Sequence, residues 1–287
     1  MAIDYDTLKN WKIPEVEQKY TFKDTILYAL GLGIGQDPLD REQLRYVYED
    51  GLKALPTQAV VLGYPGFWLK EPGTGVDWKQ ILHGEQGMRI HRLLPVEGHV
   101  VGRTRVEEIV DKGEGRGALV LTTRDIIDVA SGELLVSLTS TTFARANGGF
   151  GGPKVSAPAP HPMPEGAPER SFEWKTAPGQ ALIYRLNGDY NPLHADPEVA
   201  MAGGFKMPIL HGLASYGIAG HAILRMFCGN DPSRLRRLDV RFSSPVFPGE
   251  TLRTEAWATA PGTAAFRVRS VERDIVVINN GRADFTT

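Results

Sequence analysis

Two stretches of the chain alternate apolar and polar residues on both sides of a proline–glycine turn. They are "MRIHRLLPVEGHVVGRTRVEEIV", before the midpoint, and "LDVRFSSPVFPGETLRTEAWATA", after it. A period of two sends successive side chains to opposite faces, so each stretch predicts paired antiparallel strands. Their turn glycines, Gly98 and Gly249, are 151 residues apart. Further on, "RDIIDVASGELLVSLTSTTF" echoes "RDIVVINNGRADFTT". Arg124 and Arg273 are 149 apart, as are Gly132 and Gly281, which reads as a second pair of turn glycines. The spacing predicts a duplication, with each half ending in three or four strands; the plainer alternative is that any two antiparallel sheets have similar turns.

One segment breaks the alternation. "GLASYGIAGHAILRMFC", Gly212 to Cys228, is apolar almost all round and predicts a buried helix. A long buried helix wrapped by a curved antiparallel sheet is an α+β arrangement. The first half has a weaker counterpart, "TQAVVLGYPGFWLK", interrupted by Gly63, Pro65 and Gly66. Such breaks shorten or split a helix, and the room gained could admit a long ligand. Between the halves, "GGPKVSAPAPHPMPEGAPER" carries six prolines and reads as an extended linker. The expected organisation is residues 1–150, a linker over 151–170, and residues 171–287.

Composition narrows the function classes. A chain of 287 residues with 42% hydrophobic content can bury a large core, and a net charge of −2 argues against a nucleic-acid surface. A single cysteine, Cys228, excludes an internal disulfide and fits a reducing compartment. No run of about 18 apolar residues predicts a membrane span. The start "MAIDYDTLKNWK" lacks a signal-peptide core, and "GRADFTT" is not an SKL-type peroxisomal address, so the cytoplasm is expected.

The candidate chemistry lies in "YRLNGDYNPLHADPEVAMAGGFKMPILHG", Tyr184 to Gly212. Asp196 as cap, followed by Pro197 and Glu198, signals a helix start. The preceding "GDYNPLH" is therefore a turn or the end of one short helix leading into another. Asp189 and His194 stand five apart across the Asn191–Pro192 turn, a spacing that lets both side chains converge. A carboxylate and an imidazole around one water supply a base and an acid. Asp, Asn and Pro are also ordinary turn formers, and a lone histidine is commonly a core residue, so a purely structural turn stays open. Gly212 opens the buried helix. Its backbone N–H lacks an intrahelical partner and can hold a carbonyl oxygen that becomes negative.

These residues, "YRLNGDYNPLHADPEVA" and "GGFKMPILHGLASYG", resemble the hydratase 2 motif of MaoC-like (R)-specific 2-enoyl-CoA hydratases. "YTFKDTILYALGLGIG", "ILHGEQGMRIHRLLPVEG" and "FARANGGFGGP" extend the resemblance over nearly the whole chain. The resemblance implies a double hotdog: two hotdog folds in one chain, each a curved antiparallel sheet around a central helix. It implies that Asp189 and His194 are the catalytic pair, that Asn191 orients the water or the pair, and that Gly212 holds the thioester oxygen. It further implies that His83 and Gly84 of the first "LHG", Lys112 and Phe242 touch the CoA moiety. Without the resemblance, Lys112 reads as a solvated loop lysine and Phe242 as an inward strand residue. The first half has no "GDxNPxH", so one active site per chain is expected, with an acyl pocket in the first half. An acyl-CoA substrate, no metal or redox cofactor, no nucleic acid or membrane partner, and a homodimer complete what it implies.

Other motifs carry less. "GLGIG" and "GGFGG" lack the dinucleotide-loop spacing and frame. The histidines show no H-E-x-x-H spacing, which disfavours zinc, and no G-x-S-x-G elbow is present. A thioesterase, a dehydratase running the same chemistry backwards, and a non-catalytic acyl-CoA binder remain as alternatives.

Overall fold

Period-two alternation does become sheet. The computed structural model describes residues 2–287. The strands are β1 (Val16–Tyr20), β2 (Ile81–Ile90), β3 (Gly98–Asp111), β4 (Ala118–Asp128), β5 (Leu134–Ala144), β6 (Arg170–Lys175), β7 (Leu235–Phe242), β8 (Thr251–Ala260), β9 (Thr263–Ser270) and β10 (Ile275–Phe285). The helices are α1 (Tyr5–Lys9), α2 (Phe22–Gly31), α3 (Arg41–Leu44), α4 (Gln180–Tyr184), α5 (Pro197–Ala202) and α6 (Gly212–Phe227).

All strands join one ten-stranded sheet in the order β1-β3-β4-β5-β2-β7-β10-β9-β8-β6. Read from its outer edge, the first half runs 1-3-4-5-2 and the second 6-8-9-10-7, the same topology twice. The halves meet edge to edge where β2 pairs antiparallel with β7, from Glu85 opposite Arg241 to Arg89 opposite Arg237. This is an α+β double hotdog. Each half has four strands after its central helical segment, and a short leading strand, β1 or β6, that the alternation did not single out.

The two glycine markers fare differently. Gly98 opens β3, and Gly249 (φ +94°) turns the chain just before β8, so that pair marks equivalent strands. The Arg–Asp marker does not. Arg124 lies inside β4, whereas Arg273 lies in the turn between β9 and β10. Gly132 is a turn glycine with φ +72°, but Gly281 sits within β10 at a register shift, where a Cβ would fall 2.5 Å from the Phe266 carbonyl. There the glycine is required by close approach, not by a turn.

The central helices differ most. α6 runs 16 residues with its middle fully buried. Its first-half counterpart is a single 3-10 segment, Pro56–Val61, rather than an α-helix. Gly63 ends it by crossing β3 at Gly102, where a Cβ on Gly102 would sit 2.1 Å from the Gly63 oxygen. One apolar core runs through both halves, joining Tyr28 of α2 and Leu32 just after it to Ala214, Ile218 and Ile223 of α6 and to Leu238 of β7. A second, smaller cluster packs Ile3, Leu8 and Leu69 on Val106, Ile109 and Val120. Residues 151–169 run without regular structure; Trp257 Nε1 donates to Ala167 O at 2.9 Å and Asn280 Nδ2 to His161 O at 2.8 Å.

Candidate active site

The segment from 185 to 212 is built from short turns that each leave one side chain facing inward. A 3-10 turn over Arg185–Asn187 closes on Gly188, whose φ of +111° suits glycine. Asp189 follows. Asn191 Oδ1 then accepts the Leu193 N–H at 3.1 Å and caps the 3-10 turn Pro192–His194. Asp196 caps α5 through the Glu198 and Val199 N–H groups, with Pro197 in the first turn.

Three groups converge as a result. The donor atoms of Asp189, His194 and His211 lie within 4.8 Å of one another. His194 Nδ1 is 2.8 Å from Ile209 O; a carbonyl can only accept, so Nδ1 carries the proton and Nε2 presents a lone pair. His211 Nε2 likewise donates to Asp189 O at 3.2 Å. The two imidazoles stack at 3.7 Å between centroids and 27° between planes, and Tyr184 packs on His211 at 4.9 Å. Burial pulls the His194 pKa below the imidazole range, only partly opposed by the Ile209 hydrogen bond and the Asp189 charge. Burial, then the neighbouring His194, takes His211 down to about 3. His194 is therefore a neutral base at neutral pH, beside a carboxylate.

His211 is the N-cap of α6, and Gly212 is its first residue. A Cβ on Gly212 would stand 3.3 Å from the Phe242 ring, a tight contact that glycine avoids. Phe242 ends β7 and packs at 4.9 Å on His83 of β2, across the seam between the halves. His83 Nε2 lies 3.0 Å from Ser140 Oγ, and burial lowers its pKa to about 4. Gly84 occupies the register shift between His83 and Glu85, with the Thr141 carbonyl 3.1 Å from where a Cβ would be.

Asp189 and His194 cluster with His211 at the start of α6, and Gly212, Phe242 and His83 follow as successive neighbours up to the seam between the halves. Asn191 is exposed and its side-chain oxygen is committed to the turn. Lys112 is exposed just beyond β3, its ammonium 5.0 Å from the Phe143 ring; Phe143 pairs with Leu82, next to His83. The two "LHG" triplets are not equivalents: residues 82–84 lie in a strand and residues 210–212 open a helix. Sequence reasoning passed over His211. For His211 the signal was present, as a histidine directly before a helix start.

Asp189, His194 and His211 also form the kind of donor set that could hold a cation. Nearly parallel stacked rings, however, aim their nitrogen lone pairs side by side rather than at one point. A tetrahedral ion at about 2 Å from each nitrogen needs them to converge.

Known proteins match this arrangement. Residues 18–146 match the MFE-2 hydratase 2 N-terminal domain and residues 161–281 the MaoC like domain. A Dictyostelium discoideum protein named probable enoyl-CoA hydratase 2 is 39% identical over 293 residues, covering 99% of this chain and 97% of the relative. The chain belongs to the MaoC-like hydratase 2 family. Another relative, from Arabidopsis thaliana, is named enoyl-CoA hydratase 2, peroxisomal; it is 40% identical over 270 residues, covering 88% of this chain and 86% of its own. Among solved structures, a MaoC-like dehydratase from Phytophthora capsici superposes with a TM-score of 0.87 at 36% identity, over 98% of both chains. Among the described residues of this MaoC-like chain, no helix is long and apolar enough to cross a membrane.

Proposed function

We propose that this protein adds water to the C2=C3 bond of a trans-2-enoyl-CoA and releases a (3R)-3-hydroxyacyl-CoA. Its class, an enoyl-CoA hydratase and thus a hydro-lyase, rests on relatives of that name aligned over nearly the full chain. The observation that carries the mechanism is a neutral His194 with a free Nε2, set beside the Asp189 carboxylate at the start of α6.

The thioester carbonyl points at the Gly212 N–H, which draws electron density from C3. Asp189 and His194 hold a water between them. As its oxygen bonds to C3, its proton passes to the pair, and the thioester becomes an enolate held by the helix-end amide. A proton returned to C2 from the same side restores the carbonyl. His211 holds the Asp189 backbone and keeps the two rings in register. His83, Gly84, Phe242 and Lys112 bind the CoA arm, and the first half takes the acyl chain. The reaction uses neither metal nor redox cofactor, so activity survives dialysis against EDTA.

The test is to follow loss of the enoyl absorbance of crotonyl-CoA and to resolve the product on a chiral column. Formation of the (3R) product supports the reading, and the (3S) product or no turnover sinks it. The Phytophthora relative's name gives weight to the reverse, a dehydratase; the same groups serve both directions, and the measured equilibrium position with each substrate tells which is used. Release of free CoA thiol would instead indicate a thioesterase, and binding without turnover a non-catalytic acyl-CoA binder. We read the active form as a homodimer, checked by sedimentation. The single buried Cys228 fits a reducing compartment; the cytoplasm is our reading, and the peroxisome of the Arabidopsis relative is the alternative that cell fractionation separates.

A further inference from the structure

The short turns that lead into β2 leave two aromatic rings outside the fold. In this stretch Trp68 and Leu69 pack into the second core cluster, as does Ile81 at the start of β2. Phe67, which caps the 3-10 turn Trp68–Lys70, and Trp78, which opens the 3-10 turn Trp78–Gln80, do not. Each keeps 38% of its surface exposed, and the two rings meet edge to face at 6.0 Å and 88°. Lys70 holds its ammonium 5.0 Å from the Trp78 ring and 5.8 Å from Phe67, and Lys79 lies 5.8 Å from Trp78. Arg145, just past β5, is exposed beside this turn, and its Nε donates to Gln80 O at 3.4 Å. The turn is held in place by the buried Asn147, which accepts the Asp77 N–H at 2.9 Å and donates to Gly75 O at 2.9 Å.

Lys175 shows what this chain does with a surface lysine elsewhere: its ammonium sits 2.8 Å from the Glu272 carboxylate. Among the described residues, Lys70, Lys79 and Arg145 have no carboxylate within ion-pair distance. Asp77, two residues from Lys79, is occupied in capping the turn, where it accepts the Lys79 N–H at 3.2 Å and Gln80 Nε2 at 2.8 Å. Three unpaired cations around an exposed indole suit a ligand with both an aromatic face and phosphate charge. The place fits as well. His83, which packs on Phe242 beside Gly212, follows Trp78 by five residues, a backbone span of about 13 Å. The pantetheine arm of CoA, about as long as five residues of extended chain, reaches about 16 Å. Phe143, the ring beneath Lys112, stands two residues before Arg145.

We propose that Trp78, Phe67, Lys70, Lys79 and Arg145 form the subsite for the nucleotide end of a CoA thioester. The adenine stacks on the open part of the Trp78 ring, and the three cations hold the pyrophosphate and the 3′-phosphate. All five side chains are exposed, so the nucleotide docks on the surface while the arm carries the thioester inward past His83 and Phe242. The subsite rests on the hydratase reading for the position of the thioester.

The experiment compares crotonyl-CoA with crotonyl-pantetheine, which carries the same reacting group and arm but no nucleotide. For the wild-type protein, kcat/KM favours the CoA thioester by roughly tenfold or more. Trp78→Ala raises KM for the CoA thioester about fivefold more than for the pantetheine thioester, the range for loss of one base–aromatic stack, and Trp78→Phe keeps most of the preference. Lys70→Ala with Lys79→Ala does the same, and its effect shrinks for the 3′-dephospho-CoA thioester and at high salt. Equal use of the two thioesters by the wild type overturns the proposal, with no variant needed. So does a Trp78→Ala protein that loses both by the same factor, which would make the ring a support of the fold. Pelleting with phosphatidylserine vesicles that Trp78→Ala abolishes, in a protein without a nucleotide preference, would overturn it too and give the patch to a membrane surface. Quenching of tryptophan fluorescence by 3′-phosphoadenosine 5′-diphosphate separates the two readings. A quench lost in Trp78→Phe without any turnover of crotonyl-CoA keeps the subsite and removes the hydratase; turnover without that quench keeps the hydratase and removes the subsite.

Discussion

The two halves of this chain share a strand order and differ in what the sheet wraps. The second half wraps α6, 16 residues long, which enters close packing through small residues: a Cβ on Gly217 would meet Leu32 Cδ2 at 2.6 Å, and one on Gly220 would meet Thr57 Cγ2 at 2.7 Å. The first half wraps six residues of 3-10 helix, ended by a glycine-on-glycine crossing of Gly63 over Gly102. A complete helix offers an N-terminal amide at its start, and the reactive pair sits beside that start. The truncated segment buries its residues from Pro56 to Val60 and then gives way to the glycine crossing. From one duplicated frame, the proposed division follows: chemistry in the half that kept its helix, and substrate in the half with the shorter segment.

The largest effect that can break this division comes from the reactive pair. Asp189→Asn and His194→Ala each lower kcat on crotonyl-CoA by about 10³-fold, within the range for removal of an acid–base group. Circular dichroism and thermal midpoint stay close to wild type for Asp189→Asn, because its carboxylate makes a single internal hydrogen bond, to the Asn191 N–H at 3.3 Å. A variant that raised KM and left kcat intact would put the reacting groups elsewhere.

The packing side of the comparison is tested by two alanines. Gly102→Ala drives a methyl into the Gly63 backbone, which cannot move without shifting the strand, and is expected to cost about 3 kcal/mol or more. Gly217→Ala meets the flexible end of Leu32 at 2.6 Å and the Tyr28 hydroxyl at 2.8 Å, and costs about 1–2 kcal/mol. Urea midpoints in the order wild type, Gly217→Ala, Gly102→Ala bear on which crossing is the more rigid; the reverse order would mean that the first-half crossing can relax.

Acid sharpens the same contrast, because three buried histidines, His194, His211 and His221, belong to the second half. His211 and His221 are depressed to about 3, and His83 at the seam to about 4, in each case chiefly by burial. A depressed histidine binds fewer protons folded than unfolded, so its contribution is complete above the unfolded pKa of about 6.5 and is lost as pH falls toward the folded value. Each loses about 2 kcal/mol by pH 5. Denaturant unfolding from pH 7 to 4.5 should therefore show stability falling with pH, with more than one proton taken up on unfolding. His221→Phe, whose ring would keep the edge contacts to Phe172 and Trp174, removes part of that slope.

Much of this was legible from local pattern. β2 to β5 and β7 to β10 follow period-two alternation, α6 its continuous apolar run, and α5 its Asp196–Pro197 start. Asp189 and His194 were readable as neighbours because a five-residue turn joins them, although the Ile209 carbonyl and His211 hold them in place. What failed depends on distant chain. β1 and β6 are short edge strands with one paired side each, too brief to announce themselves. Gly281 looked like a turn glycine but is fixed by the Phe266 carbonyl of the neighbouring strand. The stack of His211 on His194 joins residues from two turns that only the fold brings together.

The smallest expected effect is the one most specific to a binding half. Lys112 is exposed, and its ammonium rests 5.0 Å from the Phe143 ring, at the sheet end that carries Leu82 and His83. An exposed cation meeting a phosphate of the CoA arm contributes on the order of 1 kcal/mol, and the cation–π contact it already makes holds the side chain near that position. Lys112→Ala should raise KM for crotonyl-CoA about fivefold and leave kcat alone. Salt supplies the control: raising ionic strength should raise the wild-type KM toward that of the variant and hardly move the variant's own, because screening removes what the substitution has already removed. A Lys112→Ala protein with unchanged KM at low salt would take this lysine out of the binding half. A fall in kcat would mean that the first half contributes to the chemical step, and that the division between the halves is less clean than their helices suggest.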